Sequence, residues 1–278
     1  MSIPLANWTD AGMAYIMAHF GLFLDSVGEG LLRLLLYLER FFLWIPWPIV
    51  IGLVGVTGWR LIGRWWVGVI LAAMLLLIGS FGYWKLAMMT LSLVTAAVII
   101  SLAVGIPVGI AMARSDLLES IIKPILDAMQ TMPSFVYLIP VLMFFGLGKV
   151  PALFATILYS VPPMIRLTNV GIREVPASVV EAAQAFGSSS WQILFNVQLP
   201  LARPAIMVGI NQTTMMALAM VVIASMVGAR GLGLEVLLAI NRIEVGRGFE
   251  AGLSIVFLAI IIDRITHAMA ARQEKAGA

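Results

Sequence analysis

The chain has 278 residues, of which 62% are hydrophobic and 11% are charged, and it carries a formal net charge of +3 at pH 7. Soluble domains average about 25% charged residues, so this composition excludes an ordinary soluble globule, and the high apolar content excludes intrinsic disorder. The sequence has no cysteine and only 2 histidines, which excludes disulfides and thiol chemistry and disfavours histidine-based catalysis or metal binding. A membrane protein is the class that remains.

Residues 1–40 differ from the rest of the chain because charged residues punctuate their Leu-rich stretches at helical spacing. This pattern predicts an amphipathic helix that lies in the membrane interface. The apolar stretch at 11–24 has no basic residue before it and acidic residues after it, so no removable targeting segment is expected.

Seven later stretches are long and apolar enough to cross a membrane, for which about 20 residues are needed. They cover residues 41–58, 65–83, 86–113, 125–148, 151–167, 201–227 and 249–270. The first and the fifth are the weakest signals, because Pro46 and Pro48 interrupt one and Pro162 and Pro163 the other. The predicted division of the chain is an interfacial segment at 1–40, two accessory spans at 41–85, a core of five spans at 86–270 that contains a polar loop at 174–200, and a cytoplasmic tail at 271–278.

Lysine and arginine are more frequent on the cytoplasmic side of membrane proteins, and this bias orients the chain. Placing residues 1–40 outside puts the majority of the 17 basic residues on the inner side. We therefore predict a multi-pass protein with its N-terminus outside. Its C-terminus and the loop between the fifth and sixth stretches then lie in the cytoplasm.

The predicted spans contain almost no ionisable residue near their centres, where such residues are costly and usually functional. A secondary transporter with an ion or proton relay is therefore disfavoured. Uncharged polar residues occur instead, chiefly Tyr159 in the fifth stretch and Asn211, Gln212, Thr213 and Thr214 in the sixth. These residues are candidates to line a route for a polar solute, with hydrogen bonding between helices as the alternative.

Gly105 and Gly109 form a GxxxG pair around Pro107 in the third stretch. Such a pair lets a second helix backbone come close, and the proline opens the hydrogen-bond ladder. The pattern fits dimerisation, packing within the chain or a hinge equally well.

The segment between the fifth and sixth stretches is too polar to be embedded in the membrane, and over 181–200 it reads EAAQAFGSSSWQILFNVQLP. It predicts a short helix over 177–186, a turn at Gly187, and a second helix near Trp191 that the serines at 188–190 cap. A short helix rich in alanine has little apolar area to bury by itself. We therefore expect it to enter a groove of another protein.

Several positions of this segment match the EAA loop of ABC importer permeases, and they are Glu181, Ala182, Ala183, Gly187, Val197, Leu199 and Pro200. The resemblance continues in QTMPSFVYLIPVLMFFGLG at 130–148, VPPMIRLTNVGI at 161–172, VGARGLG at 227–233 and GFEAGLSIVFLAIIIDRIT at 248–266. Over residues 86–270 the chain resembles the permeases that take up glycine betaine, proline betaine and other quaternary ammonium compounds.

This resemblance implies the all-α transmembrane domain of a type I ABC importer, in the cytoplasmic (inner) membrane of a bacterium or an archaeon. The implied complex has two copies of this permease, two cytoplasmic ATPase subunits and an extracytoplasmic solute-binding protein. By the same resemblance the ATPase docks at Glu181, Ala182, Ala183 and Gly187. The alternative for Glu181 is an ordinary solvated charge at a helix end.

The implied permease is not itself an enzyme. We expect no catalytic residue, metal or cofactor on this chain, and no nucleic-acid partner, because its basic residues are scattered. The sequence contains no GxxxxGK[ST] phosphate loop, so ATP and magnesium are expected on the partner ATPase.

Glycine betaine or proline betaine is the first expectation for the solute, with choline, carnitine, trimethylamine oxide or an amino acid such as methionine as alternatives. Because aromatic faces attract quaternary ammonium groups, Tyr137 and Tyr159 are candidates for the passage, and packing is their alternative role. A channel or scaffold without an ATPase is the rival class, and it predicts that no ATPase co-purifies. A membrane-embedded enzyme is disfavoured because the span ends carry no clusters of His, Asp or Glu.

Overall fold

The computed structural model describes the backbone of residues 5–277, with side chains described for Trp8 and for residues 11–269. Within that part of the chain every regular element is helical, which confirms the predicted all-α class. The side chains of the predicted cytoplasmic tail at 271–278 lie outside the described residues. The backbone of the last helix continues through most of that tail, to Gly277.

The α-helices of the described part follow one another in the order α1 (Leu5–Trp44), α2 (Trp47–Ile62), α3 (Trp65–Ser80), α4 (Trp84–Arg114), α5 (Asp116–Thr131), α6 (Leu138–Phe145), α7 (Lys149–Arg173), α8 (Ala177–Ala185), α9 (Ser190–Ile193), α10 (Leu199–Ser225), α11 (Leu232–Arg242) and α12 (Val245–Gly277). A 3-10 turn at Ser134–Tyr137 leads into α6, and a π-helical turn at Leu194–Gln198 joins α9 to α10. The helix is therefore continuous over Ser190–Ser225.

Four helices of the described part are long and apolar enough to cross a membrane by themselves: α4, α7, the continuous helix Ser190–Ser225 and α12. Two bent pairs pass the same test when each is counted as one span, and these are α1 with α2 and α5 with the segment Ser134–Phe145. The described residues therefore provide between 4 and 6 spans. The second predicted span, 65–83, forms the shorter 16-residue apolar helix α3, so the predicted number of about seven spans stays a prediction.

Two predicted spans are not single straight helices. The first, 41–58, contains a bend of 92° between α1 and α2, and the fourth, 125–148, contains a bend of 111° between α5 and the segment Ser134–Phe145. Each bend occurs at a proline, Pro46 or Pro133, whose ring disfavours a helical conformation in the preceding residue. Proline therefore limits the straight helices in both regions.

The N-terminal helix α1 continues past the boundary predicted at residue 40, to Trp44. Its second half packs on the bundle, because Leu35 is buried in the core and the Lys149 ammonium donates a 2.5 Å hydrogen bond to the Glu39 carboxylate. After α1 the chain turns by 92° into α2. This bend suits a helix in the membrane plane followed by one that crosses the membrane, and the interfacial placement of α1 stays a prediction.

Helix α7 lies at the centre of the bundle, in contact with both α4 and α10. Of its most apolar 18 residues 67% are buried, against 39% or less in the other single spans. Pro162 and Pro163 are buried inside this unbroken helix. In a membrane bundle, neighbouring helices and side chains can satisfy the backbone groups that proline leaves unpaired, so these prolines do not end the helix.

Glycines bring α7 into backbone contact with both neighbours. A Cβ atom on Gly109 of α4 would lie 2.6 Å from the Cβ of Thr168 and 2.7 Å from the carbonyl oxygen of Ile165. A Cβ atom on Gly171 of α7 would lie 2.6 Å from the Cβ of Ala205 in α10. Of the roles that the GxxxG pair allows, the structure shows packing within the chain.

We expect Gly109→Ala to destabilise the protein by about 1–3 kcal/mol, because the added methyl group overpacks the contact between α4 and α7. Gly252→Ala is the matched control, since no atom lies within 4 Å of a Cβ at that position of α12 and alanine favours a helix over glycine. Thermal unfolding of the purified protein in detergent measures the difference. Equal melting temperatures for Gly109→Ala and the native protein would contradict the contact.

Candidate functional site

The predicted coupling loop is built from α8, α9 and the turn between them, and it joins α7 to α10. None of the residues of α8 is buried, so this helix projects from the bundle. Glu181, Ala182 and Gly187 are exposed, and Ala183 is half-buried. The four residues predicted to dock an ATPase therefore lie together on a surface that another protein can reach.

Gly187 ends α8 in a Schellman motif. Its φ of 80° lies in the left-handed region, and its N–H donates a 2.9 Å hydrogen bond to the carbonyl of Gln184. The N–H of Ser188 donates to the carbonyl of Ala183 at 3.1 Å, which completes the motif. The predicted helix stop at Gly187 is confirmed, and a residue with a Cβ would be strained there.

A capping box starts the second helix of the loop. The Gln192 N–H donates to the Ser189 hydroxyl at 3.4 Å, and the Ser189 N–H donates to the side-chain oxygen of Gln192 at 2.8 Å. This confirms the capping that the serines predicted. The π-helical turn follows, in which the Leu199 N–H donates to the Leu194 carbonyl, and it directs the chain into α10.

Large apolar side chains are exposed on the loop. Phe186 is 91% exposed, Trp191 is 61% exposed, and the ring of Trp191 stacks on Phe195 with 5.8 Å between ring centroids. Exposed apolar groups beside polar ones are typical of a surface that binds a partner. The loop therefore offers an apolar contact next to the carboxylate of Glu181.

Arg114, the last residue of α4, fixes the loop to the bundle. Its guanidinium group donates a 2.9 Å hydrogen bond to the carbonyl of Ser190 and lies 4.6 Å from the ring centroid of Trp191. Leu194 is completely buried in a cluster with Ile172 of α7 and Ala202 of α10. A displacement of the loop would therefore be transmitted to α4, α7 and α10 together.

A second arginine joins the ends of α4, α5 and α7. The guanidinium of Arg173 forms ion pairs of 2.8 Å with Asp116 and 3.2 Å with Glu119, and it donates to the carbonyl of Met112 at 2.9 Å. The Asn169 amide also donates to Glu119, at 3.0 Å. In the sequence these charges indicate only how the chain is oriented in the membrane, because nothing in the local pattern shows which of them form ion pairs.

The structure brings Tyr137 and Tyr159 together. Their rings make an edge-to-face contact with 6.0 Å between centroids. Tyr137 is 5% exposed and donates its hydroxyl to the carbonyl of Met129, whereas Tyr159 is half-buried. Both are packed within this chain, and their role in a solute passage stays a prediction.

The polar run at 211–214 points in several directions around α10. The Asn211 side chain donates to Asp263 at 3.1 Å and accepts from Thr266 at 2.9 Å, which ties it to α12. Thr213 and Thr214 are buried, and the Thr213 hydroxyl has no hydrogen-bond partner among the described residues. Gln212 is the exposed member of the run. The run therefore does not form one polar face, and its place in a solute route stays a prediction.

Metal ligands are not grouped in the part of the chain that the structure describes. Among these residues no three His, Asp or Glu side chains lie close enough together to hold a metal ion.

Residues 105–275, which include this loop, match the family described as the inner membrane component of binding-protein-dependent transport systems. The chain belongs to this family. The description places this family in the inner membrane, which agrees with the apolar helices of the fold. The protein is thus a multi-pass inner-membrane permease subunit.

Two relatives that match almost all of this chain support a narrower grouping. The chain is 45% identical to the glycine betaine/proline betaine transport system permease protein ProW of Escherichia coli, over 96% of this chain and 75% of that protein. It is 46% identical to the glycine betaine/carnitine transport permease protein GbuB of Listeria monocytogenes, over 96% of this chain and 95% of that protein. The resemblance to the glycine betaine/proline betaine permeases is confirmed.

The fold also matches a solved structure. A chain of the methionine ABC transporter MetNI, solved in inward-facing conformations, aligns with a TM-score of 0.56 and 20% sequence identity, over 67% of this chain and 92% of that chain. At this identity the match shows the fold alone. The predicted transmembrane domain of an ABC importer is confirmed.

We expect Arg114→Gln to loosen the coupling loop, because it removes the cation–π contact with Trp191 and weakens the hydrogen bond to Ser190. Hydrogen–deuterium exchange over residues 187–193 should become about tenfold faster, the effect of losing about 1.4 kcal/mol of local stability. Arg203→Gln is the control, since Arg203 is exposed at the start of α10. Unchanged exchange in Arg114→Gln would show that Arg114 does not hold the loop.

Proposed function

We propose that this chain is the membrane-spanning permease subunit of an ATP-driven importer that moves glycine betaine, proline betaine or a related quaternary ammonium solute into the cell. The observation that carries the proposal is the exposed coupling loop on the transmembrane fold of an ABC importer. The names of its relatives support the choice of solute, since ProW and GbuB both transport glycine betaine by name. Carnitine, choline, trimethylamine oxide and amino acids remain the competing solutes.

The proposed complex contains two copies of this permease, two cytoplasmic ATPase subunits and an extracytoplasmic solute-binding protein. The family description supports the binding protein, because it names transport systems that depend on one. The ATPase would bind ATP and magnesium, since the sequence has no phosphate loop of its own. This chain would supply the passage and the surface that receives the motion of the ATPase.

The proposed coupling is mechanical. An ATPase groove would hold α8 at Glu181, Ala182, Ala183 and Gly187, and closure of the ATPases would displace the loop. Arg114 and Leu194 would transmit this displacement to α4, α7 and α10, since both contact the bundle directly. Rocking of these helices in two copies of the chain would alternate access between the two sides of the membrane.

The proposed orientation places the N-terminus outside and the coupling loop and C-terminus in the cytoplasm, as the arginine and lysine bias indicates. Residues of the passage are proposed from polarity and exposure. Gln212 lies on the exposed side of α10 and is the member of the polar run that a solute or a second copy could contact. The other candidates make their contacts within the chain, so they would affect solute passage through the shape of the route. They are Asn211, Thr213, Thr214, Tyr137 and Tyr159.

Uptake measurements test the solute. In proteoliposomes that contain the whole complex, labelled glycine betaine or proline betaine should accumulate only with ATP and only with the binding protein present. Choline, carnitine, trimethylamine oxide and methionine, tested as unlabelled competitors, rank the alternatives. Flux without ATP would contradict the importer and favour a channel, and stronger competition by methionine would contradict the betaine assignment.

Charge reversal tests the docking surface. We expect Glu181→Lys to weaken binding of the partner ATPase by about tenfold, which corresponds to about 1.4 kcal/mol. Asp25→Lys makes the same charge change at an exposed position of α1, away from the loop, and should leave binding unchanged. A pull-down of the ATPase by each purified variant measures the effect. Equal recovery of the ATPase with Glu181→Lys and Asp25→Lys would show that Glu181 is an ordinary surface charge.

A further inference from the structure

A basic groove lies outside the coupling loop and the polar run of α10. It has a volume of about 960 Å³ and is formed by the turn between α2 and α3 and by the second half of α12. Arg60, Arg64 and Arg264 line it, and so do the apolar side chains of Ile70, six residues after Arg64, and Ile260, four residues before Arg264. The groove thus joins a strongly basic region to an apolar wall.

The positive charge of the groove is not neutralised by the described side chains. None of the three arginines forms a salt bridge with a carboxylate in the described part of the chain. Asp263 also lines the groove, and its carboxylate accepts a hydrogen bond from Asn211 of α10; its single negative charge leaves the three arginines in excess. The groove therefore attracts an anion.

The groove lies beside the turn between two short apolar helices. Helices α2 and α3 have 16 residues each, so each is about 24 Å long and slightly shorter than the hydrocarbon core of a membrane. In the predicted topology both helices cross the membrane, which places their turn at the membrane–water boundary, at the end of α3 opposite the start of α4. Trp59, Trp65 and Trp66 are exposed around this turn, as is typical of side chains that anchor a helix at the interface.

The groove lies toward the same end of the bundle as the coupling loop. In the predicted topology the α2–α3 turn and the end of α4 at Arg114 both lie across the membrane from the α3–α4 turn, and Arg114 contacts the loop. The groove therefore faces the membrane leaflet on the side of the coupling loop. In the orientation proposed above, this is the cytoplasmic leaflet.

We infer that this groove binds one anionic phospholipid of that leaflet. Guanidinium groups form strong paired hydrogen bonds with phosphate, so Arg60, Arg64 and Arg264 would hold the headgroup. The acyl chains would lie along Ile70 and Ile260, toward the membrane centre. A soluble anion would leave this apolar wall uncovered, whereas a phospholipid satisfies both parts of the groove.

The bound lipid would join the α2–α3 hairpin to α12 at the edge of the core. Among the described residues these elements already touch, and the phosphate would bridge arginines that repel one another. The site involves neither the proposed docking residues nor the polar run. A failure of lipid binding would therefore leave the proposed transport function untouched.

Native mass spectrometry of the full-length chain in detergent tests the site. The protein is mixed with equal amounts of dioleoylphosphatidylglycerol and dioleoylphosphatidylcholine, which share their acyl chains and differ in net charge. We expect phosphatidylglycerol adducts to exceed phosphatidylcholine adducts by at least about fivefold in the native protein. The double variant Arg60→Gln/Arg264→Gln should lose this preference, and Arg60→Lys/Arg264→Lys should keep most of it.

The control is Lys123→Gln/Arg203→Gln, which removes the same charge from exposed positions of α5 and α10 and should keep the preference. Equal binding of the two lipids to the native protein would overturn the site, and so would an unchanged preference in Arg60→Gln/Arg264→Gln. Displacement of phosphatidylglycerol by glycerol 3-phosphate would also overturn it, because the groove would then recognise a soluble phosphate. If the glutamine variant does not fold, the ratio of phosphatidylglycerol to phosphatidylcholine adducts is compared between the native protein and the lysine variant. Equal binding of the two lipids to the native protein would still overturn the site.

Discussion

Backbone contacts at glycine hold α4, α7 and α10 closer together than any larger side chain would allow. Within a bilayer the lipid tails are as apolar as the helices, so no hydrophobic force drives helices together and packing has to do so. Gly109 of α4 meets Thr168 of α7, and Gly171 of α7 meets Ala205 of α10. Because α7 is tightly packed against both neighbours, the three helices can transmit a displacement as a unit.

The coupling loop combines exposure with firm attachment. Its first helix has no buried residue, so the surface around Glu181 is available to a partner. Its second helix is fixed by the contact of Arg114 with Trp191 and by the burial of Leu194. A loop without attachments would move independently of the bundle when a partner displaced it. A fully buried loop would be inaccessible to that partner. The exposed first helix is accessible to a partner, and the attached second helix can transmit a displacement to the core helices.

The periphery follows a different physical rule from the core. Helices α2 and α3 are short, carry tryptophans at their turn and leave the arginines of the basic groove without carboxylate partners in the described chain. In the proposed lipid site, their contacts with α12 would place these charges beside a lipid phosphate. The core is therefore held by close packing, and its edge offers charge and aromatic side chains to the membrane surface.

The sequence by itself determined the membrane class, most of the long helices and the local architecture of the loop. Hydropathy needs only neighbouring residues, and so do the helix stop at Gly187 and the cap at Ser189. The tertiary structure alone decided that Pro46 and Pro133 bend the chain whereas Pro162 and Pro163 do not, because that depends on the helices packed around each proline. It also decided which side chains around Asn211 and Arg173 meet. Those pairs are separated by tens of residues, and local patterns carry no information about contacts at that distance.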